Sequence, residues 1–104
     1  MESNGFSSRL ITITDPLGLH MRPASQIGMI ARECDSDVYA CRIDRELPRY
    51  SFLLNGKGYV NVRSILTLLP LGISTGDQLE FIATGPRGTE ALEKIAHTIA
   101  QGGQ

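Results

Sequence analysis

The chain has little of what marks several protein classes. Cys34 and Cys41 are its only cysteines. They form no CxxC pair and have no histidine at metal-ligand spacing, so neither a disulfide framework nor a zinc site is expected. No apolar run approaches the roughly 20 residues that span a bilayer. The opening MESNGFSS lacks the basic region and apolar run of a secretion signal. Ten basic and eleven acidic side chains give a net charge of -1, so charge draws the chain to neither nucleic acid nor an anionic membrane. Internal repeats and low-complexity blocks are absent as well. These absences lead us to expect a cytoplasmic, soluble domain with reduced thiols.

What is present suits one compact domain. The 104 residues are 41% hydrophobic and 20% charged, enough to bury a core without disulfides or metal. Arg9 to Thr14 alternates as a half-buried strand does, and Asp15-Pro16-Leu17-Gly18 breaks it. From Pro23 the period changes to that of a helix, with Ala24, Ile27, Gly28, Ala31 and Cys34 on one face. VYACRI (38–43) and YSFLL (50–54) are strand candidates separated by a charged, proline-containing stretch. Asn55-Gly56 is a hairpin signal returning into Tyr59–Val62. Ser64 can cap a short helix from Ile65 to about Leu71, stopped by Pro70 and Gly72. Gln78 to Thr84 alternates as a last strand. A final helix carries Leu92, Ile95, Ala96 and Ile99, with Thr89 as expected cap and Glu90 in its first turn. One-sided helices interleaved with hairpin-linked strands point to an α/β two-layer sandwich. Residues 1–8 read as a flexible lead, 9–100 as the domain and 101–104 as a tail.

The stretch GLHMRPAS (18–25) carries the chemistry. A helix start offers backbone N–H groups and the positive end of the helix dipole, which together bind phosphate. Pro23 fits the first turn because its missing N–H would go unused there. An imidazole at that position is disfavoured as the cation, so more of the ring stays neutral and nucleophilic. A phosphoryl group accepted on His20 would face the helix N–H groups, with Arg22 able to add charge-assisted hydrogen bonds. From these residues alone His20 reads equally as a capping or packing histidine.

GLHMRPA resembles the GLHxRPA active-site motif of the histidine-containing phosphocarrier (HPr) family of the bacterial phosphoenolpyruvate-dependent sugar phosphotransferase system. VNVRSILTLLPLG (60–72) resembles the family's second motif, GDQLEFIATG its glycine-aspartate turn and last strand, and EALEKI its closing helix. The resemblance runs from residue 9 to about 100. It implies four antiparallel strands covered on one face by three helices, and no cofactor or metal. It further implies that His20 takes a phosphoryl group on Nδ1 from Enzyme I and donates it to an Enzyme IIA component, assisted by Arg22. Ser64 matches a serine that a dedicated HPr serine kinase phosphorylates in some bacterial groups. Ile65, Leu66 and Leu69 match partner-binding positions, and Met21 stands at the rim of the site. A regulatory or nitrogen-type paralogue with other partners, or an interaction domain that transfers nothing, are the competing readings.

This sequence departs from the family in three places. Met21 occupies a position usually small or threonine-like, and Pro70 should stop the second helix early. About a dozen extra residues lie between Val38 and Asn55. Either VYACRI continues into a long excursion or YSFLL is the second half of a split strand. Other residues read as ordinary: His97 and Lys57 as surface groups, and Tyr39, Tyr50 and Phe52 as packing residues. Arg42, Arg45 and Arg49 read as charges offset by Asp44 and Glu46.

Overall fold

The computed structural model describes residues 6–19, 21–43, 52–54, 56–63 and 73–101. In chain order these form β1 (Phe6–Thr12), α1 (Met21–Glu33), β2 (Val38–Arg42), β3 (Phe52–Leu54), β4 (Lys57–Asn61), β5 (Gln78–Thr84) and α2 (Gly88–Ala100). The strands make one antiparallel sheet in the order β1-β5-β2-β4-β3. This is the expected α/β sandwich. The expected helix from Ile65 to about Leu71 lies outside the described residues.

The period-two pattern sorts side chains onto the two sheet faces. Ile11, Val38, Ala40, Val60, Val62, Leu79, Phe81 and Ala83 point to the helices and form one buried core with them. From α1 come Ala24, Ile27 and Ala31, and from α2 Ala91, Leu92, Ile95 and Ile99. Fully burying each large aliphatic side chain contributes about 2 kcal/mol. The other face carries a smaller cluster of Cys41, Tyr59 and Ile82, with Phe6, Tyr39 and Leu54 packed beside it. The helical stripe of α1 is buried as expected, and Gly28 explains its close seat. A Cβ there would lie 3.4 Å from the carbonyl oxygens of Val62 and Arg63.

Helix α1 ends in a Schellman arrangement. The Ser36 N–H donates to the Ala31 carbonyl and the Asp35 N–H to the Arg32 carbonyl, while Asp35 itself takes φ 48°.

Several boundaries differ from expectation. Among the described residues the sheet has five strands where four were implied. The extra one, β3, pairs with β4 from Phe52 opposite Tyr59 to Leu54 opposite Lys57, and the path from β2 to β3 lies outside the described residues. Being added at an outer edge, it leaves the order of the other four undisturbed. Strand β1 begins at Phe6, ahead of Arg9, because its register with β5 runs from Phe6 opposite Thr84 to Thr12 opposite Gln78. Thr89 is not the cap of α2. The N-cap is Arg87, which makes no side-chain capping bond, and the Thr89 hydroxyl shares a hydrogen bond with Ser7 instead. The helix starts early because Gly88 lets its backbone approach Ala83, whose carbonyl oxygen would stand 3.1 Å from an added Cβ.

Candidate functional site

The approach to α1 is a tightly tied turn. The Leu17 N–H donates to the Asp15 carboxylate at 2.8 Å, and the Gly18 N–H to the Asp15 carbonyl at 2.9 Å. Gly18 takes φ 70°, a left-handed conformation that a side chain disfavours. An added Cβ would also run into the Ile73 carbonyl oxygen and come within 3.0 Å of the Ser74 Cα. Leu19 follows, buried in the core, its N–H donating to the Ile73 carbonyl at 3.0 Å. The chain is therefore held by both side chain and backbone up to the residue before His20.

Helix α1 opens at Met21, the residue after His20, and has no acidic side chain in its first turn. A helix start of this kind presents N–H donors and a positive dipole end to an anion. Pro23 lies in that turn and is fully buried, while Arg22 is exposed. Burial of proline and leucine on either side of position 20 anchors the turn, and the arginine remains free to reach solvent-borne ligands.

Of the expected site residues, Met21, Arg22 and Pro23 are thus brought together on one helical turn. His20, Ser64, Ile65, Leu66 and Leu69 lie outside the described residues. Arg63, immediately before Ser64, runs beside the middle of α1 at Gly28. Its guanidinium donates to the Ser36 carbonyl at 3.2 Å.

A second arrangement supports the approach turn from behind. Residues 73–77 hold the 13–19 segment through the Ile13 N–H to the Asp77 carbonyl, the Gly76 N–H to the Ile13 carbonyl, and the Leu19 bond to Ile73. The Thr75 hydroxyl adds a bond to the Asp15 carbonyl. Asp77 closes this turn on itself, its Oδ2 accepting the Ser74 N–H at 2.8 Å. The same oxygen accepts Arg42 Nη2 at 2.8 Å. The Arg42 side chain is only 2% exposed and that of Asp77 17%. Sequence reasoning set Arg42 against its neighbours Asp44 and Glu46, and so missed this pair. The signal was the alternation of Val38, Ala40 and Arg42, which puts the arginine on the buried face, where a charge needs a partner.

Elsewhere the titrating groups are structural. On the face away from the helices, the Tyr59 hydroxyl donates to Glu80 at 2.9 Å. Burial pushes its pKa well up, helped by the hydrogen bonds to Cys41 and Glu80. Lys57 pairs with Glu80 at 3.5 Å. Burial is also the main cause raising the Cys41 thiol. His97 is exposed, beside a shallow groove lined also by Ile30, Glu90 and Lys94, away from the start of α1. Among the described residues, no group of three His, Cys, Asp or Glu could hold a metal ion. No described helix is long and apolar enough to cross a membrane.

Comparisons with known proteins agree with this fold. The family model for the PTS HPr component phosphorylation site matches residues 7–101. The chain is 31% identical over 85 residues to a multiphosphoryl transfer protein of Escherichia coli O157:H7, covering 82% of this chain and 20% of that protein. It is 26% identical over 91 residues to one of Haemophilus influenzae, covering 88% and 16%. The chain thus spans a fifth or less of the length of these curated relatives. A crystal structure of the phosphocarrier protein HPr from Bacillus anthracis superposes with a TM-score of 0.69 at 26% identity, covering 90% of this chain and 96% of that one. With the HPr model matching nearly end to end and the sandwich shared with a solved HPr, the chain belongs to the HPr family, the phosphocarriers of the phosphotransferase system.

Proposed function

We propose that this chain carries a phosphoryl group on His20, receiving it from phosphorylated Enzyme I and passing it to Enzyme IIA components. The carrying observation is the start of α1 directly after His20, with no acidic side chain in its first turn and Arg22 exposed there. The lone pair of the neutral imidazole Nδ1 attacks phosphorus as the bond from phosphorus to the donor breaks. The helix dipole favours the neutral ring before transfer and the phosphoryl charge after it. Arg22 adds charge-assisted hydrogen bonds to the phosphoryl oxygens. Pro23, expected at the helix start, stands instead in a first turn that opens two residues earlier at Met21, where its fixed φ suits the helix. Met21, Ile65, Leu66 and Leu69 form the partner-binding surface in this reading. Phosphorylation of Ser64 by an HPr serine kinase would place charge beside that surface and weaken docking.

Incubation with phosphoenolpyruvate and Enzyme I, followed by intact-mass measurement, tests the proposal. One acid-labile phosphate is expected, absent in His20→Ala and slow to form in Arg22→Ala. No gain with several Enzyme I proteins, the cognate one included, would overturn it. ATP and the serine kinase should add one acid-stable phosphate, lost in Ser64→Ala.

Met21 and the added edge strand β3 favour a second reading, in which the same His20 chemistry serves a regulatory or nitrogen-type branch with other partners. Transfer rates to sugar-type and nitrogen-type acceptors, measured side by side, separate the two.

A further inference from the structure

We propose that Arg42 is a positioning residue for the phosphoryl site, acting through Asp77. The inference rests on the reading of His20 given above. Arg42 ends strand β2 on the buried face and donates to Asp77 Oδ2 at 2.8 Å. That oxygen also accepts the Ser74 N–H, which closes the 74–77 turn. The turn in turn carries the approach to His20: Asp77 and Gly76 bond Ile13, Thr75 bonds Asp15, and Ile73 receives the Leu19 N–H. The backbone of Ile73 and Ser74 is also the wall against which Gly18 is pressed.

A buried arginine needs a strong reason to stand in a strand, because an uncompensated charge there is costly. Here its one fixed charge orients a carboxylate that would otherwise turn toward solvent. The orientation supplies one of the two bonds that keep the 74–77 turn closed, the other being the Asp77 N–H to the Ser74 carbonyl at 3.1 Å. If the turn opens, Leu19 loses its carbonyl partner and the residue next to the histidine is no longer held. Phosphoryl transfer depends on near-attack geometry, and misplacement by about 1 Å can cost about a hundredfold in rate. Lys57–Glu80, at 3.5 Å on the other face, makes none of these connections and supplies the control.

The test compares Arg42→Met, Arg42→Lys, Asp77→Asn and the control Lys57→Met in the full chain. Each is first shown to be folded by its amide NMR spectrum. In Arg42→Met and Asp77→Asn, the Gly18 and Leu19 amides should shift and the His20 ring pKa should move. Phosphoryl acceptance at saturating Enzyme I should fall by about tenfold or more, with KM for Enzyme I little changed. Arg42→Lys should recover much of the rate, and Lys57→Met should match the parent. Should Arg42→Met not fold, Asp77→Asn and Arg42→Lys carry the comparison. Parent-like Gly18, Leu19 and His20 signals with parent-like turnover in folded Asp77→Asn would overturn the proposal. If the parent itself accepts no phosphate, the carrier reading fails, and the amide shifts and ring titration still decide whether Arg42 positions His20.

Discussion

Gly18 and Ile73 meet backbone to backbone, so closely that a single added carbon on Gly18 would collide with the Ile73 carbonyl oxygen. The two residues are 55 positions apart in a chain of 104, and their contact holds the chain just ahead of His20, the proposed phosphoryl acceptor. Contact and left-handed φ together leave glycine as the residue that fits.

Gly18→Ala should therefore cost stability and activity together. Left-handed strain alone costs about 1–3 kcal/mol, and the collision with backbone adds to it. Chemical denaturation should show a lower midpoint at unchanged slope. Phosphoryl acceptance should fall even at temperatures where the variant is fully folded.

Asp35→Gly should stabilise the protein. Asp35 holds φ 48° at the C-terminus of α1, where its negative charge also opposes the helix dipole. Relief of a left-handed penalty of about 1–2 kcal/mol, less the added freedom of glycine in the unfolded chain, leaves a gain of about 0.5–1 kcal/mol. Thermal unfolding followed by circular dichroism measures it, and the phosphoryl site should be unaffected.

Glu90 should titrate far below an ordinary carboxyl. Arg87 donates to both its oxygens, at 3.0 and 2.7 Å, and Lys94 adds a contact at 3.3 Å. These hold its pKa at about 2, the Arg87 hydrogen bond being the largest cause. Because the folded value lies below the unfolded one of about 4.3, the associated stability is present above that pH. It is lost as pH falls through about 2. Carboxyl-carbon NMR should give the low midpoint, and Arg87→Gln should raise it toward about 4. That variant also removes the bond from Arg87 to the Glu33 carbonyl, at 2.9 Å.

Both cysteines should resist modification in the native state. Cys34 and Cys41 are buried and unbridged, and burial raises the Cys41 thiol above its ordinary value. Since the folded pKa exceeds the unfolded one, this thiol supports folding below its unfolded pKa. The support is lost as pH rises through the folded value. A chromogenic disulfide reagent at mildly alkaline pH should react slowly with the folded chain and quickly with both thiols in denaturant. Fast native reaction at Cys41 would contradict the packing of Cys41, Tyr59 and Ile82.

Local patterns were legible wherever one residue's neighbours in sequence are also its neighbours in space. Gln78–Thr84 alternates because one face of β5 meets the core, and its observed bounds coincide with that alternation. The apolar face of α1 was readable for the same reason, since Ala24, Ile27, Ala31 and Cys34 are all buried. Gly56 marked the β3–β4 connection because its φ of 79° is one that few residues tolerate. The cap of α2 misled, because Thr89 is a good capping type but Gly88 against Ala83 starts the helix before it.

The sequence by itself determined the sandwich of helices on a sheet, the turn before position 20 and the helix start after it. Periodicity, turn chemistry and the GLHMRPA motif are properties of consecutive residues. The tertiary structure alone decided what stands behind the site. It paired Arg42 with Asp77 across 35 residues, set Ile73 against Gly18, and placed β3 on β4 at the end of the sheet. Charge partners and backbone contacts are chosen by sheet order and register, which bring distant segments together and leave no period in the chain to read.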